Sequence, residues 1–71
     1  MALQISPDGR YIATGSWDNT ARIFDIKNQT VIKTINPCWD IADVEFSKDG
    51  GTIVLACAWD GRLKVYDVET V

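Results

Sequence analysis

The chain contains one pattern written twice. Trp17-Asp18-Asn19-Thr20-Ala21-Arg22-Ile23-Phe24-Asp25-Ile26 returns as Trp59-Asp60-Gly61-Arg62-Leu63-Lys64-Val65-Tyr66-Asp67-Val68, an offset of 42. Each copy opens on an aromatic-Asp turn, alternates apolar and polar residues, and closes on a second aromatic-Asp pair. Such self-similarity constrains the fold more than any single residue does, because a repeat that cannot bury its own apolar face must stack on a neighbour. Further upstream the offset is 41, with Ile5-Ser6 matching Phe46-Ser47 and Asp8-Gly9 matching Asp49-Gly50. One residue must therefore be inserted between the matched blocks, and the Gly50-Gly51 pair is its expected place, in a turn that tolerates extra length.

A period of 41 to 42 falls within the range of about 40–45 residues for a four-stranded propeller blade. Helical repeats share part of that range, but here the apolar residues alternate, the turns carry Gly and Asp, and no window holds a 3.6 period. Leu3-Gln4-Ile5 reads as the tail of a strand, followed by a Ser6-Pro7-Asp8-Gly9 turn. Residues 11–16 and 21–26 then form a hairpin across Asp18-Asn19, and residues 31–35 a fourth strand that ends at Asn36-Pro37. The second copy gives strands over 41–46, 52–58 and 62–68, with an Asp60-Gly61 reversal before the last. The expectation is an all-β chain of seven strands in two antiparallel blades, 1–35 and 36–71, the first strand truncated and the eighth missing. Its packed layer is expected to include Ile12, Ala13, Ile23, Val31, Ile35, Val44, Phe46, Ile53, Leu55 and Val65.

Taken together, Ser6-Pro7-Asp8-Gly9, Ile12-Ala13-Thr14-Gly15-Ser16 before Asp18, the run closing on Phe24-Asp25, Ile41 to Ser47, and Tyr66-Asp67 resemble WD-repeat β-propeller blades over essentially the whole chain. The resemblance places the family's strand-closing Trp-Asp at Phe24-Asp25 and Tyr66-Asp67; the literal Trp-Asp pairs at 17, 39 and 59 lie elsewhere in the blade. It also implies a hydrogen-bonded set of a turn Asp, a loop His, a strand hydroxyl and a Trp indole. Asp18 and Asp60 fill the turn position and Thr14 the hydroxyl position, while Ala56 stands there in the second copy. The chain has no His, Asn36-Pro37 replaces Gly-His, and Phe24 has no N–H to donate. Asp18 and Asp60 are then expected to bond to their own turn amides. Closed propellers hold about 4–8 blades, so two blades imply a piece of a longer propeller, or a unit completed by other blades or subunits.

Composition limits the partners. The net charge of −3 offers no basic surface for nucleic acid. No segment approaches the roughly 18 apolar residues of a membrane span, and the first residues lack the pattern of a signal peptide. An intracellular setting, cytoplasmic or nuclear, is the expectation, and Cys38 and Cys57 read as free thiols because two cysteines make no disulfide framework and neither recurs in the other copy. Without His there is no Ser-His-Asp or Cys-His pair, no Cys/His spacing fits zinc and no Asp series fits a calcium loop. No catalytic residue, metal or cofactor is expected.

Trp17, Trp39 and Trp59 all fall in strand-joining loops, where function concentrates. By resemblance, the residue before the turn Asp (Trp17, Trp59) and those flanking Ile41 (Asp40, Ala42) occupy rim positions that this family uses for partners. The expected role is a non-enzymatic protein-interaction scaffold whose aromatic and acidic rim, made of Trp17, Trp39, Asp40, Ala42 and Trp59, takes a protein or peptide with a basic segment. The alternative is a structural repeat unit that self-assembles or completes a propeller with other chains; the plain reading of each Trp is that it lies over its neighbouring blade and caps the core.

Overall fold

A computed structural model of the chain describes residues 2–16 and 18–69. It contains seven strands: β1 (Ala2–Ile5), β2 (Tyr11–Gly15), β3 (Ala21–Asp25), β4 (Thr30–Ile35), β5 (Ile41–Phe46), β6 (Thr52–Cys57) and β7 (Arg62–Asp67). All neighbours pair antiparallel, in one sheet of order β1-β2-β3-β4 and a second of order β5-β6-β7. Each strand lies within about one residue of its expected place, since alternation and Gly/Asp turns mark both ends.

The first turn of each copy is built in the same way. The Ser6 hydroxyl donates to Asp8 (2.7 Å) and accepts from the Tyr11 amide (2.9 Å), while Gly9 N donates to Ser6 O (2.9 Å). Ser47, Asp49, Gly50 and Thr52 repeat the set at 2.6, 3.1 and 2.9 Å. Gly9 and Gly50 both sit at φ +74°, where a side chain would be strained.

Strand register relocates the inserted residue. Tyr11 faces Asp25 and Thr52 faces Asp67, so Tyr11 is equivalent to Thr52, Ala13 to Val54, Thr14 to Leu55 and Gly15 to Ala56. The offset of 41 thus runs through β2 and β6, and the extra residue lies in the turn between β6 and β7 rather than at Gly50-Gly51. Leu55, not Ala56, therefore stands where Thr14 stands in the first copy.

This register explains how the sheets pack. The first sheet presents Ala13, Gly15, Ala21 and Ile23, and the second presents Ile41, Val44, Ile53 and Leu55; all are nearly inaccessible. The approach is closest at Gly15, where an added Cβ would fall 2.5 Å from Ile41 Cγ2. Repeat-equivalent residues never meet, because Val54 and Ala56 look away from the interface while Ala13 and Gly15 look into it. Opposite faces of one repeat are in contact, as a rotation about a common axis requires.

The same geometry corrects three members of the expected layer. Val31 (49% exposed) and Val65 (64%) lie on the outward faces of their sheets, and Ile12 is half-buried on the outward side of β2. Alternation alone does not say which face meets a neighbour. Ile35 and Phe46 pack at the margin of the core, and Val68, just beyond β7, is buried within it.

The free-thiol reading of Cys38 and Cys57 is overturned: the two form a disulfide, with Cα atoms 6.1 Å apart. Register is the reason. Ile41 pairs with Cys57, so the segment leading into β5 passes over the end of β6 and brings Cys38 onto it, a contact that cysteine number and repeat matching do not reveal.

Candidate functional site

Three loop segments converge at the end of the sheets where β2 and β6 finish: the turn around Asp18-Asn19, the lead-in to β5 at residues 38–40, and the turn at 58–61. Asp40 joins them. Its amide donates to Asn19 Oδ1 (3.1 Å) and its carbonyl accepts from Ala58 N (3.0 Å), so one residue ties the first copy's turn to the second's. Asp40 is left-handed at φ +57°, as are Asn19 at φ +70° and Gly61 at φ +68°. Asn and Asp are the non-glycine residues that tolerate this region most readily.

The expected rim residues are placed as follows. Trp39 is 71% exposed and Trp59 82% exposed in this chain, and they flank the Asp40–Ala58 backbone bond in sequence. Asp40 and Ala42 are exposed, and Ala42 sits at an irregularity in the β5–β6 register. Trp17 lies outside the described residues. Thr14 is half-buried on the outward side of β2, beside Leu3, Ile12 and Phe24 rather than at the rim.

The acidic residues differ in how much charge they offer. Asp18 Oδ1 accepts from the Ser16 hydroxyl, the Thr20 amide (3.1 Å) and the Thr20 hydroxyl (2.5 Å), and Oδ2 lies 3.9 Å from Arg22. Those bonds, the Ser16 hydroxyl foremost, pull its carboxyl down to about 2. Asp60 accepts the Arg62 amide at 3.1 Å. Among the described residues the Asp40 carboxylate has neither a hydrogen bond nor an ion pair, so it is the free negative charge beside Trp39.

Sequence reasoning missed two contributors to this rim. Asn19 was read only as a turn former, although its position matches Gly61 and so marks a left-handed site. The Cys38–Cys57 bond becomes legible once β5 is set against β6. At the opposite end, Asp8, Arg10, Asp49, Asp67 and Glu69 surround a shallow cleft of about 420 Å³ in which Tyr11 donates to Glu69 and Arg10 lies 3.8 Å from Glu69. Among the described residues no group of His, Cys, Asp and Glu could hold a metal ion, and no helix is long and apolar enough to cross a membrane.

Known proteins share this arrangement. The sequence profile described as WD domain, G-beta repeat matches residues 1–25 and 29–67. An uncharacterized WD repeat-containing protein of Synechocystis is 38% identical over 56 residues, covering 78% of this chain and 16% of that protein. The ribosome biogenesis protein WDR12 homolog of Drosophila virilis is 35% identical over 63 residues, covering 89% and 15%. In three dimensions the chain superposes on a Kuenenia stuttgartiensis hydrazine synthase chain with a TM-score of 0.82 at 24% identity, covering 94% of this chain and 20% of that one, a likeness of fold. The chain thus spans about a sixth of the length of these curated relatives. With two sheets that meet through opposite faces of one repeat and a profile that matches nearly every residue, the chain belongs to the WD domain, G-beta repeat family.

Proposed function

We propose that the chain is a non-enzymatic protein-interaction segment of a WD-repeat propeller, with blades over 1–35 and 36–71, and that its rim of Trp39, Asp40, Ala42 and Trp59, joined by Trp17 from the sequence, docks a protein or peptide with a basic segment. The observation that carries this reading is the pair of exposed indoles, 71% and 82% accessible, each next in sequence to a residue of the Asp40–Ala58 bond. An indole held beside water on a tied loop is a rigid apolar plate. A free carboxylate next to it favours a cation, and arginine suits both groups, because its guanidinium stacks on indole and pairs with carboxylate. A relative named as a ribosome biogenesis protein supports an intracellular setting and a scaffold role.

The test uses an arginine-rich decapeptide as probe, with Trp39→Ala and Trp59→Ala made separately. Each is expected to weaken binding by about 2 kcal/mol, the scale of an interface hot spot, while leaving thermal stability unchanged. Loss of stability with no separate effect on binding would mark the indoles as packing residues and end this reading.

A second reading rests on a different observation. Leu3, Ile5 and Val31 on one outward face and Leu63 and Val65 on the other are all 49–71% exposed, which favours a structural unit covered on both sides by further blades or subunits. Sedimentation of the isolated chain well above monomer mass, with tryptophan emission indifferent to the probe, would favour this alternative.

A further inference from the structure

We propose that Cys38 and Cys57 form a thiol–disulfide switch that sets the rim, holding residues 38–40, and with them Trp39, against the Trp59 turn when oxidised and freeing that segment when reduced. The inference rests on the docking role proposed above and adds its control.

The position of the bond carries the argument. Cys38 adjoins Trp39, and Cys57 is separated from Trp59 by Ala58 alone, so the crosslink runs between the two indole-bearing segments. Among the described residues the other restraints at this segment are the packing of Cys38 against the core, the two backbone bonds of Asp40 and the Lys64 ammonium donating to the carbonyl of the preceding Pro37. Asp40 sits at φ +57°, a region that Asp tolerates better than most side chains but that still leans on its surroundings. The crosslink, one residue away through Trp39, is a covalent restraint on it. In the first copy Ser16 and Thr20 close onto Asp18 by hydrogen bonds that redox chemistry does not touch.

Burial sets the route of exchange. Cys57 is 2% exposed, whereas Cys38 is half-buried, so a low-molecular-weight thiolate such as glutathione attacks the Cys38 sulfur. The protein S–S bond breaks, a mixed disulfide forms at Cys38, and Cys57 leaves as a thiolate that takes a proton. A second small thiolate then attacks the mixed disulfide, releasing Cys38 and one small-molecule disulfide. Two electrons pass to the protein pair, and the reverse sequence with oxidised glutathione restores it. Reduced Cys57 remains a small packed side chain, and the β5–β6 ladder keeps its hydrogen bonds, so the change stays local.

The experiment compares the full chain in glutathione buffers of rising reducing power, following residue-resolved amide exchange and the affinity for the arginine-rich decapeptide. On reduction, exchange at Asp40 and Ala58 is expected to accelerate by about tenfold or more, while Ile53 and Leu55 stay protected; peptide affinity falls by about fivefold or more in parallel. Cys38→Ser in either buffer should behave as the reduced chain. Unchanged exchange at Asp40 and Ala58 overturns the switch whatever the peptide does. Equal acceleration at Ile53 and Leu55 also overturns it, marking the bond as a global staple. If Asp40 and Ala58 respond but neither redox form binds the peptide, the docking role fails and the conformational switch stands.

Discussion

The two copies are closed by the same hydrogen bonds at one end and by different ones at the other. At the Ser-Xaa-Asp-Gly turns the first copy and the second make matching bonds, 2.7 against 2.6 Å from hydroxyl to carboxylate and 2.9 Å in both from Gly to Ser. At the rim, three residues between the bonded Ser16 and Thr20, closed by Asp18, face four between the paired Cys57 and Arg62. In the longer connection Asp60 holds one amide, Gly61 N donates to Cys57 O, and a disulfide ties the turn to the neighbouring loop. Where a turn is closed by its own side chains, repeating the sequence repeats the structure. Where closure comes from a neighbouring loop, each copy is free to find a different solution.

The most forceful way to break this comparison is to cut equivalent positions. Leu55 is wholly buried and its counterpart Thr14 half-buried on an outward face, so Leu55→Ala should cost about 2–5 kcal/mol and Thr14→Ala under about 1, read from denaturant midpoints. Similar losses would mean that the outward face bearing Thr14 is covered in solution as fully as the interface face bearing Leu55. Next comes Gly15. Its counterpart in the second copy already carries a Cβ, as Ala56, yet Gly15→Ala would drive a methyl onto Ile41 Cγ2, an overpacking worth about 1–3 kcal/mol. Adding Ile41→Ala should recover part of the clash energy in a double-mutant cycle.

Much of this was legible beforehand. Strand limits followed from alternation, and the Asp18 and Asp60 amide bonds from turn chemistry. The inserted residue was misplaced because Trp17 matches Trp59 by identity, whereas position in a sheet is set by which backbone groups pair. Val31 and Val65, expected in the packed layer, fall outside it because a strand pattern marks an apolar face without naming its neighbour. Cys38–Cys57 escaped because counting cysteines ignores the path of the chain, and the exposure of Trp39 and Trp59 depends on loop geometry that no periodicity encodes.

The smallest expected effect sharpens the comparison through acid. The carboxyls of Asp8 and Asp49 are both lowered, the first chiefly by the Arg10 amide and the second by the Ser47 hydroxyl, and Asp18 is lowered to about 2. A depressed carboxyl stabilises the fold fully above its unfolded value near 3.8 and loses that contribution as pH falls through its folded value. Carboxyl chemical shifts should therefore show Asp8 and Asp49 both protonating below 3.8 and Asp18 near 2. A midpoint at or above 3.8 for either Asp8 or Asp49 would show that its turn is not closed in solution as its counterpart is.

The contact between unlike faces has a consequence for assembly. A self-complementary patch satisfies itself once and stops at a twofold pair, whereas a surface whose complement lies on the far side of the same unit is heterologous and leaves a fresh acceptor after every addition. The outward side of β6 and β7, with Val54 and Val65, faces as Ala13 and Ile23 do in the first sheet, and the outward side of β1 to β3 as Ile53 and Leu55 do in the second. Growth by this contact has a direction, and it ends only when the angle turned at each step sums to a full circle. The number of units in such a ring is thus set by the angle between successive sheets, and substitutions at the close Gly15–Ile41 approach that alter that angle act on the closure of the whole.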